Sequence, residues 1–227
     1  MEKASVLIKP EAMIFDMDGT LFQTETVLLP AYHKLFAILK EEGLYTAPTP
    51  PEERILGSLG MLLEEIWKIV MPDGSDQARK RADELLLQLE LEGLQNGNTL
   101  LYPGVKDTLH TLKEKGVRLF IASNGLEHYV KGVAAAHGIL ELFDAVYSAG
   151  EHGTVTKVHL VKLLLEQEHV KTAWMVGDRS SDVEAGKENQ LSVIGCAYAG
   201  FGDGEELYGS DALIRSFTEI QDLYEDA

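Results

Sequence analysis

Asp16 and Asp18 stand two residues apart in Asp16-Met17-Asp18-Gly19-Thr20, directly after the short apolar run Ala12–Phe15. A carboxylate in the first position can attack phosphorus and carry the group as an acyl phosphate. A carboxyl two residues on can protonate the leaving oxygen and later activate a water. Ser123 and Asn124 follow a second apolar run, Lys157 opens a helical pattern, and Asp178 and Asp182 follow a third. The hydroxyl, amide and ammonium suit the negative charge of a transferring phosphoryl group. Closely packed carboxylates repel unless a cation or protons neutralise them. An oxygen-rich, cysteine-free set favours a hard cation, and Mg²⁺ suits a phosphate substrate.

These side chains meet only if the elements before them share one sheet edge. Ala12–Phe15 reads as a buried strand ending in a polar loop. From about Thr26 to Leu94 the apolar residues recur at helical spacing. Leu28, Ala31, Tyr32, Leu35, Phe36 and Leu39 form one stripe, closed by Gly43. Leu59, Leu62, Leu63, Ile66 and Ile69 form a second, stopped before Pro72. Leu85, Leu86, Leu89 and Leu94 form a third, entered through Gly74-Ser75. No strand pattern interrupts them, which predicts a small all-helical insert. After Pro103-Gly104, helices alternate with strands at Val117–Ala122, Ala145–Ser148, Ala173–Val176 and Ser192–Cys196, and a short strand and helix end the chain. Such alternation predicts an α/β fold, a doubly wound parallel sheet covered on both faces. Ligands of open parallel sheets bind beyond the carboxyl ends of the strands, where the candidate residues fall.

Bulk composition narrows the partners. Twenty basic against 37 acidic residues give 20 − 37 = −17. That field repels nucleic acid and anionic membrane, so neither is an expected partner. The single cysteine, Cys196, forbids an intrachain disulfide and suits a cytoplasmic location; its apolar surroundings predict a buried, inert thiol. No segment reaches the roughly 18 apolar residues that span a bilayer. Met1–Pro10 has no long apolar run or cleavage-site pattern, so no secretion signal is expected.

The same residues resemble the haloacid dehalogenase superfamily. Asp16-Met17-Asp18-Gly19-Thr20-Leu21 resembles its first motif, Ser123 its second, Lys157 its third, and Gly177-Asp178-Arg179-Ser180-Ser181-Asp182 its fourth. The resemblance covers nearly the whole chain, and the helical insert is similar to the cap of the phosphoglycolate phosphatase and β-phosphoglucomutase branch. It implies a Rossmann-like core over residues 1–22 and 98–227 and a cap over 23–97, joined by linkers that act as hinges. It also implies Mg²⁺ held by the Asp16 and Asp178 side chains and the Asp18 backbone carbonyl, with Asp182 supporting the metal or Lys157 from behind. Ser123, Asn124 and Lys157 would bind phosphate; Gln23, Glu25 and Arg54 are the cap candidates for substrate contact. Gln23 stands where many relatives carry aspartate, Val158 where proline is common, and Leu59 interrupts a glycine-proline pattern.

The expected activity is Mg²⁺-dependent hydrolysis of small phosphomonoesters through a phosphorylated aspartate, on a small phosphorylated metabolite. A sugar-phosphate mutase on the same scaffold stays open, as does a non-catalytic binding protein, although a retired site has no reason to keep so costly a cluster of carboxylates. Halide displacement is disfavoured because it does not need the metal site that Asp18, Asp178 and Asp182 build. Oligomeric state is left open.

Overall fold

A computed structural model describes residues 7–61, 63–200 and 205–227. At its centre lies β1 (Ala12–Phe15), with all four residues buried. Met13 and Phe15 join one apolar cluster and Ala12 and Ile14 another, the period of two that a strand covered on both faces requires.

Five helices follow before the next strand: α1 (Glu25–Glu41), α2 (Glu52–Leu56), α3 (Leu63–Val70), α4 (Asp76–Gln95) and α5 (Val105–Glu114). Helices α1, α3 and α4 build an apolar body of their own around Leu35, Phe36, Trp67, Val70, Leu86 and Leu89. Helix α5 instead packs Val105, Leu109 and Leu112 against the sheet. The expected stripes of α1 and α4 are the buried faces. Ser75 starts α4 by accepting the Ala78 N–H at 3.1 Å. The middle stripe differs from expectation. Helix α3 starts only at Leu63, Leu59 sits in the turn before it, and Ile69 is 44% exposed, while Ile66, Trp67 and Val70 are buried. Each residue advances a helix by about 100°, so a stripe placed one residue off points its apolar side chain at water. Leu62 lies outside the described residues. The five-residue α2 is too short to carry a periodic signal.

The chain then alternates through β2 (Arg118–Ser123), α6 (Glu127–Ala136), β3 (Ala145–Ser148), α7 (Ala149–His152), α8 (Lys157–Gln167), β4 (Ala173–Gly177), α9 (Ser180–Glu188), β5 (Ser192–Cys196), β6 (Ala212–Ile214) and α10 (Glu219–Asp226). The strands form one sheet in the order β3-β2-β1-β4-β5-β6, with every pairing parallel. This is the doubly wound α/β architecture with a helical cap inserted after the first strand. Strand order reverses between β1 and β4, so a crevice opens at their carboxyl ends. The two chain crossings into the cap run side by side: Gln23 N–H donates to Leu100 O at 2.9 Å and Tyr102 N–H to Leu21 O at 3.0 Å. Cys196 is buried, and among the described residues no helix is long and apolar enough to cross a membrane.

Candidate active site

Asp16 follows β1 and Asp178 follows β4, the two strands that flank the reversal. Asp182 sits in the first turn of α9, and its Oδ2 accepts the Arg179 N–H at 3.0 Å. It is therefore the third residue of the helix reaching back to its start, rather than the cap residue itself. Two glycines make this approach possible. A Cβ on Gly177 would lie 2.1 Å from the Asp182 Cγ, and one on Gly19, whose φ is +76°, would lie 2.3 Å from the Asp178 Oδ2.

One oxygen from each of Asp16, Asp178 and Asp182 falls within 4.8 Å of the others, and all three residues are buried. Lys157 is the first residue of α8, whose start Thr156 fixes by accepting the His159 N–H at 3.3 Å. Its Nζ lies 2.8 Å from Asp16 Oδ1 and donates to Asp182 Oδ1 at 2.6 Å. Thr20 Oγ1 donates to Asp178 Oδ1 at 3.0 Å. Arg179 Nε lies 3.6 Å from Asp178 Oδ2, and its Nη2 donates to the cap carbonyl of Leu56 at 3.1 Å.

Charge in this cluster is unbalanced. Asp16, Asp178, Asp182 and Glu206, which also pairs with Arg179 at 3.7 Å, face Lys157 and Arg179, so 4 − 2 = 2 formal negative charges are left over. Burial pushes Asp16 up to about 7; Lys157 offsets this in part, and Asp182 adds to it. Burial, then Asp16 and Asp182, raise Asp178 well above the usual carboxylate range. Burial by itself would lower Lys157, but Asp16 and Asp182 reverse that and hold it as an ammonium. The donors are all hard oxygens and the excess is two charges, so a hard divalent cation fits the Asp16, Asp178 and Asp182 group.

Asp18 points elsewhere. Thr24 Oγ1 and Tyr129 OH both donate to its Oδ1 at 2.7 Å. Burial raises Asp18, and these two donors offset only part of that. With Oδ1 taken, Oδ2 is the oxygen left to carry a proton. Ser123 is the last residue of β2, and its Oγ accepts the Gly125 N–H at 3.1 Å, which leaves its own proton to donate. Asn124 reaches the cap: its Nδ2 donates to Gly60 O at 2.7 Å, while its Oδ1 is buried without a partner among the described residues.

Asp16, Asp18, Ser123 and Asn124 line one cavity, roofed by the cap. Its cap side is mostly apolar, formed by Leu28, Ile55, Leu59, Met61, Ile66 and Leu86 with Glu90 among them. Gln23, Glu25 and Arg54, the expected substrate contacts, do not line it. Gln23 instead donates from Nε2 to Leu101 O at 2.8 Å and ties the chain crossings together. Glu25 starts α1 with one carboxylate oxygen buried outside the cavity, and Arg54 is exposed on α2. Proximity to the first motif placed the first two at the crossings rather than under the roof.

A family model for hydrolases, described as haloacid dehalogenase-like hydrolase, matches residues 10–189. The chain belongs to the haloacid dehalogenase-like hydrolases. It is 27% identical to a phosphoglycolate phosphatase of Nitrosococcus oceani over 98% of this chain and all of that one. It is 30% identical to a phosphoglycolate phosphatase of Aquifex aeolicus over 77% of this chain and 79% of the relative. Among solved structures, CbbY of Rhodobacter sphaeroides in complex with phosphate superposes with a TM-score of 0.78 at 25% identity, covering 93% of this chain and 96% of that one. A variant of the same protein has been crystallised with xylulose-(1,5)bisphosphate.

Within this haloacid dehalogenase-like frame, sequence reasoning missed Thr24, Tyr129 and Glu90. Thr24 directly precedes α1 and Tyr129 lies in α6, and neither position marks its hydroxyl as turned to Asp18. Glu90 left a pattern: it occupies the i+4 position between Leu86 and Leu94, an acid inside an apolar row. It is buried on α4, 8% exposed, and lines the cavity. Burial, then the charge of Asp18, raises its carboxyl well above the usual range.

Proposed function

We propose that this protein is a Mg²⁺-dependent phosphatase of small phosphomonoesters that works through a phosphorylated Asp16. The observation that carries the reading is the shared cavity: Asp16 and Asp18 open into one space with Ser123, and Lys157 contacts Asp16 from behind.

An Asp16 oxygen attacks phosphorus, the new O–P bond forms, and the ester O–P bond breaks. The proton on Asp18 Oδ2 goes to the leaving alcohol oxygen. Asp18, now a carboxylate held by Thr24 and Tyr129, takes a proton from water. That water's oxygen bonds to phosphorus as the Asp16 O–P bond breaks, releasing phosphate and restoring both carboxyl groups. Ser123 and Lys157 hold the negative charge of the phosphoryl oxygens. Asp16 and Asp178, with Asp182 and the Asp18 carbonyl beside them, would hold Mg²⁺, which supplies neutralising charge to the cluster and to the phosphoryl group. The cap over residues 23–97 and the core over 1–22 and 98–227 would act as two bodies, with the crossings as hinges. Likeness to phosphoglycolate phosphatases and to a phosphate-binding CbbY supports the reaction class. A mutase must seat a second phosphate, and no cationic side chain among the described residues lines the cap side to receive one.

The test is hydrolysis of p-nitrophenyl phosphate by the purified protein. Activity with Mg²⁺, its loss in EDTA, and a fall of about 10⁴-fold or more in Asp16→Asn are expected. Turnover undiminished in Asp16→Asn would reject the covalent route.

A further inference from the structure

The cavity has two ends of different character. At the phosphoryl end every carboxylate has a cation or a hydroxyl donor beside it. At the cap end two acceptors have nothing. Glu90 is 8% exposed and lines the cavity, and its carboxylate has no donor within hydrogen-bond reach among the described residues. The Asn124 Oδ1 is buried beside the same space and equally without a donor. The other described residues at that end are apolar, and none lining the cavity is lysine, arginine or histidine. Leaving buried acceptors unmet is costly, so a site that keeps them is complementary to a ligand that brings the donors.

We infer that the cap end receives the leaving group of the substrate, an alcohol with an apolar body and a donor substituent, amino or hydroxyl, that bonds to Glu90 and Asn124. The same end excludes a second anionic group. This inference rests on the phosphatase reading and sharpens it. A carboxylate-bearing ester such as phosphoglycolate would bring its second negative charge to an end where no described residue offers a cation to receive it. A bisphosphate meets the same obstacle. Rejection of the wrong charge, together with acceptance of the donor, is how such a pocket discriminates. The apolar wall of Leu28, Ile55, Leu59 and Leu86 fits carbon between the phosphate and the donor.

The test uses alkyl phosphates of two to five carbons ending in methyl, hydroxyl, ammonium or carboxylate, compared as kcat/KM ratios within each protein. A ratio does not depend on the fraction of folded enzyme. For the wild type, the better of the hydroxyl and ammonium esters is expected to exceed the methyl ester by about tenfold, and the carboxylate ester to fall at least about tenfold below it. In Glu90→Leu the donor advantage disappears and the carboxylate ester gains on the methyl one. Glu90→Gln separates the two donor sources: it keeps a hydroxyl preference and loses an ammonium preference. A wild type that prefers the carboxylate ester, or ratios unchanged in Glu90→Leu, overturns the inference. Calorimetric binding of the same esters to Asp16→Asn reads the pocket without turnover. The donor-over-carboxylate order in binding, with no hydrolysis of any ester by the wild type, would reject the phosphatase reading and leave the pocket standing. Absence of that order in binding rejects the pocket whatever the activity.

Discussion

The carboxylates at the two ends of the cavity are withdrawn from solvent and treated in opposite ways. Asp16 and Asp182 share the Lys157 ammonium, Asp178 has Thr20 and Arg179, and Asp18 has Thr24 and Tyr129. Glu90, on α4 across the cavity, has none of these. Buried charge without a partner destabilises a fold, and a paired one holds its geometry. The contrast teaches that the core end is built to stand rigid before any substrate arrives, while the cap end is left incomplete for the substrate to finish.

The sharpest way to break that contrast is to remove the shared cation. Lys157→Met keeps the length of the side chain and leaves Asp16 and Asp182 buried without their ammonium. Breaking a fully buried pair costs about 3–5 kcal/mol. For a chain of this size that lowers the melting temperature by on the order of 10 °C. Thermal denaturation checks it; a shift of a degree or less would mean that the core end is not held by Lys157.

At the cap end the same measurement is expected to move the other way. Glu90 has a carboxyl whose pKa burial raises above its ordinary value of 4.5. The folded state therefore holds that proton more tightly than the unfolded one. Its contribution is most favourable below the ordinary value and is lost as pH rises through the raised one. Glu90→Gln removes the charge and keeps the shape, so it is expected to stabilise the protein at pH 8 by about 1–3 kcal/mol and to have less effect at pH 4.5. Loss of stability at pH 8 would mean that Glu90 has a partner.

A smaller effect belongs to the seam between the ends. Asn124 Nδ2 ties the core to the cap turn at Gly60 O. Asn124→Ala removes a bond worth about 1 kcal/mol and is expected to raise KM about fivefold, with kcat less affected. An equal loss in both constants would instead place Asn124 in the chemical step.

How much of this the sequence disclosed follows the same division. Asp16, Asp18, Lys157, Asp178 and Asp182 were legible because each sits directly after a strand or at the start of a helix, where local pattern and topology determine the position. The parallel sheet and the helical insert were legible from apolar runs and helical spacing. The cap residues that line the cavity were not. Gln23 and Glu25 lie close to Asp18 in the chain yet do not line the cavity, nor does Arg54 on α2, whereas Glu90, 72 residues beyond Asp18, lines it. Which helix face roofs the site depends on how α1, α3 and α4 pack together, and the displaced stripe of α3 shows that spacing alone does not settle it.

A control outside both ends carries the smallest expected effect. His137 lies at the end of α6; its Nε2 is 3.1 Å from Thr99 Oγ1, and its ring is 5.5 Å from that of Phe22. Burial, then the Lys106 ammonium, lowers its pKa below the ordinary 6.5. The unfolded chain therefore takes up the proton first. The contribution of His137 is complete above about pH 6.5 and declines as pH falls from there to its lowered value, then levels off. Measured as wild type minus His137→Gln, the denaturation free energy is expected to fall between pH 7.5 and pH 5.5 by less than the substitutions at Lys157 or Glu90 change it. Taking the difference cancels the buried carboxylates, which titrate in both proteins. Kinetic ratios between the alkyl phosphates should stay unchanged in this variant, because His137 touches the crossings and neither end of the cavity. If those ratios moved, the crossings would be coupled to substrate choice, and the division between a rigid core end and an unfinished cap end would have to include them.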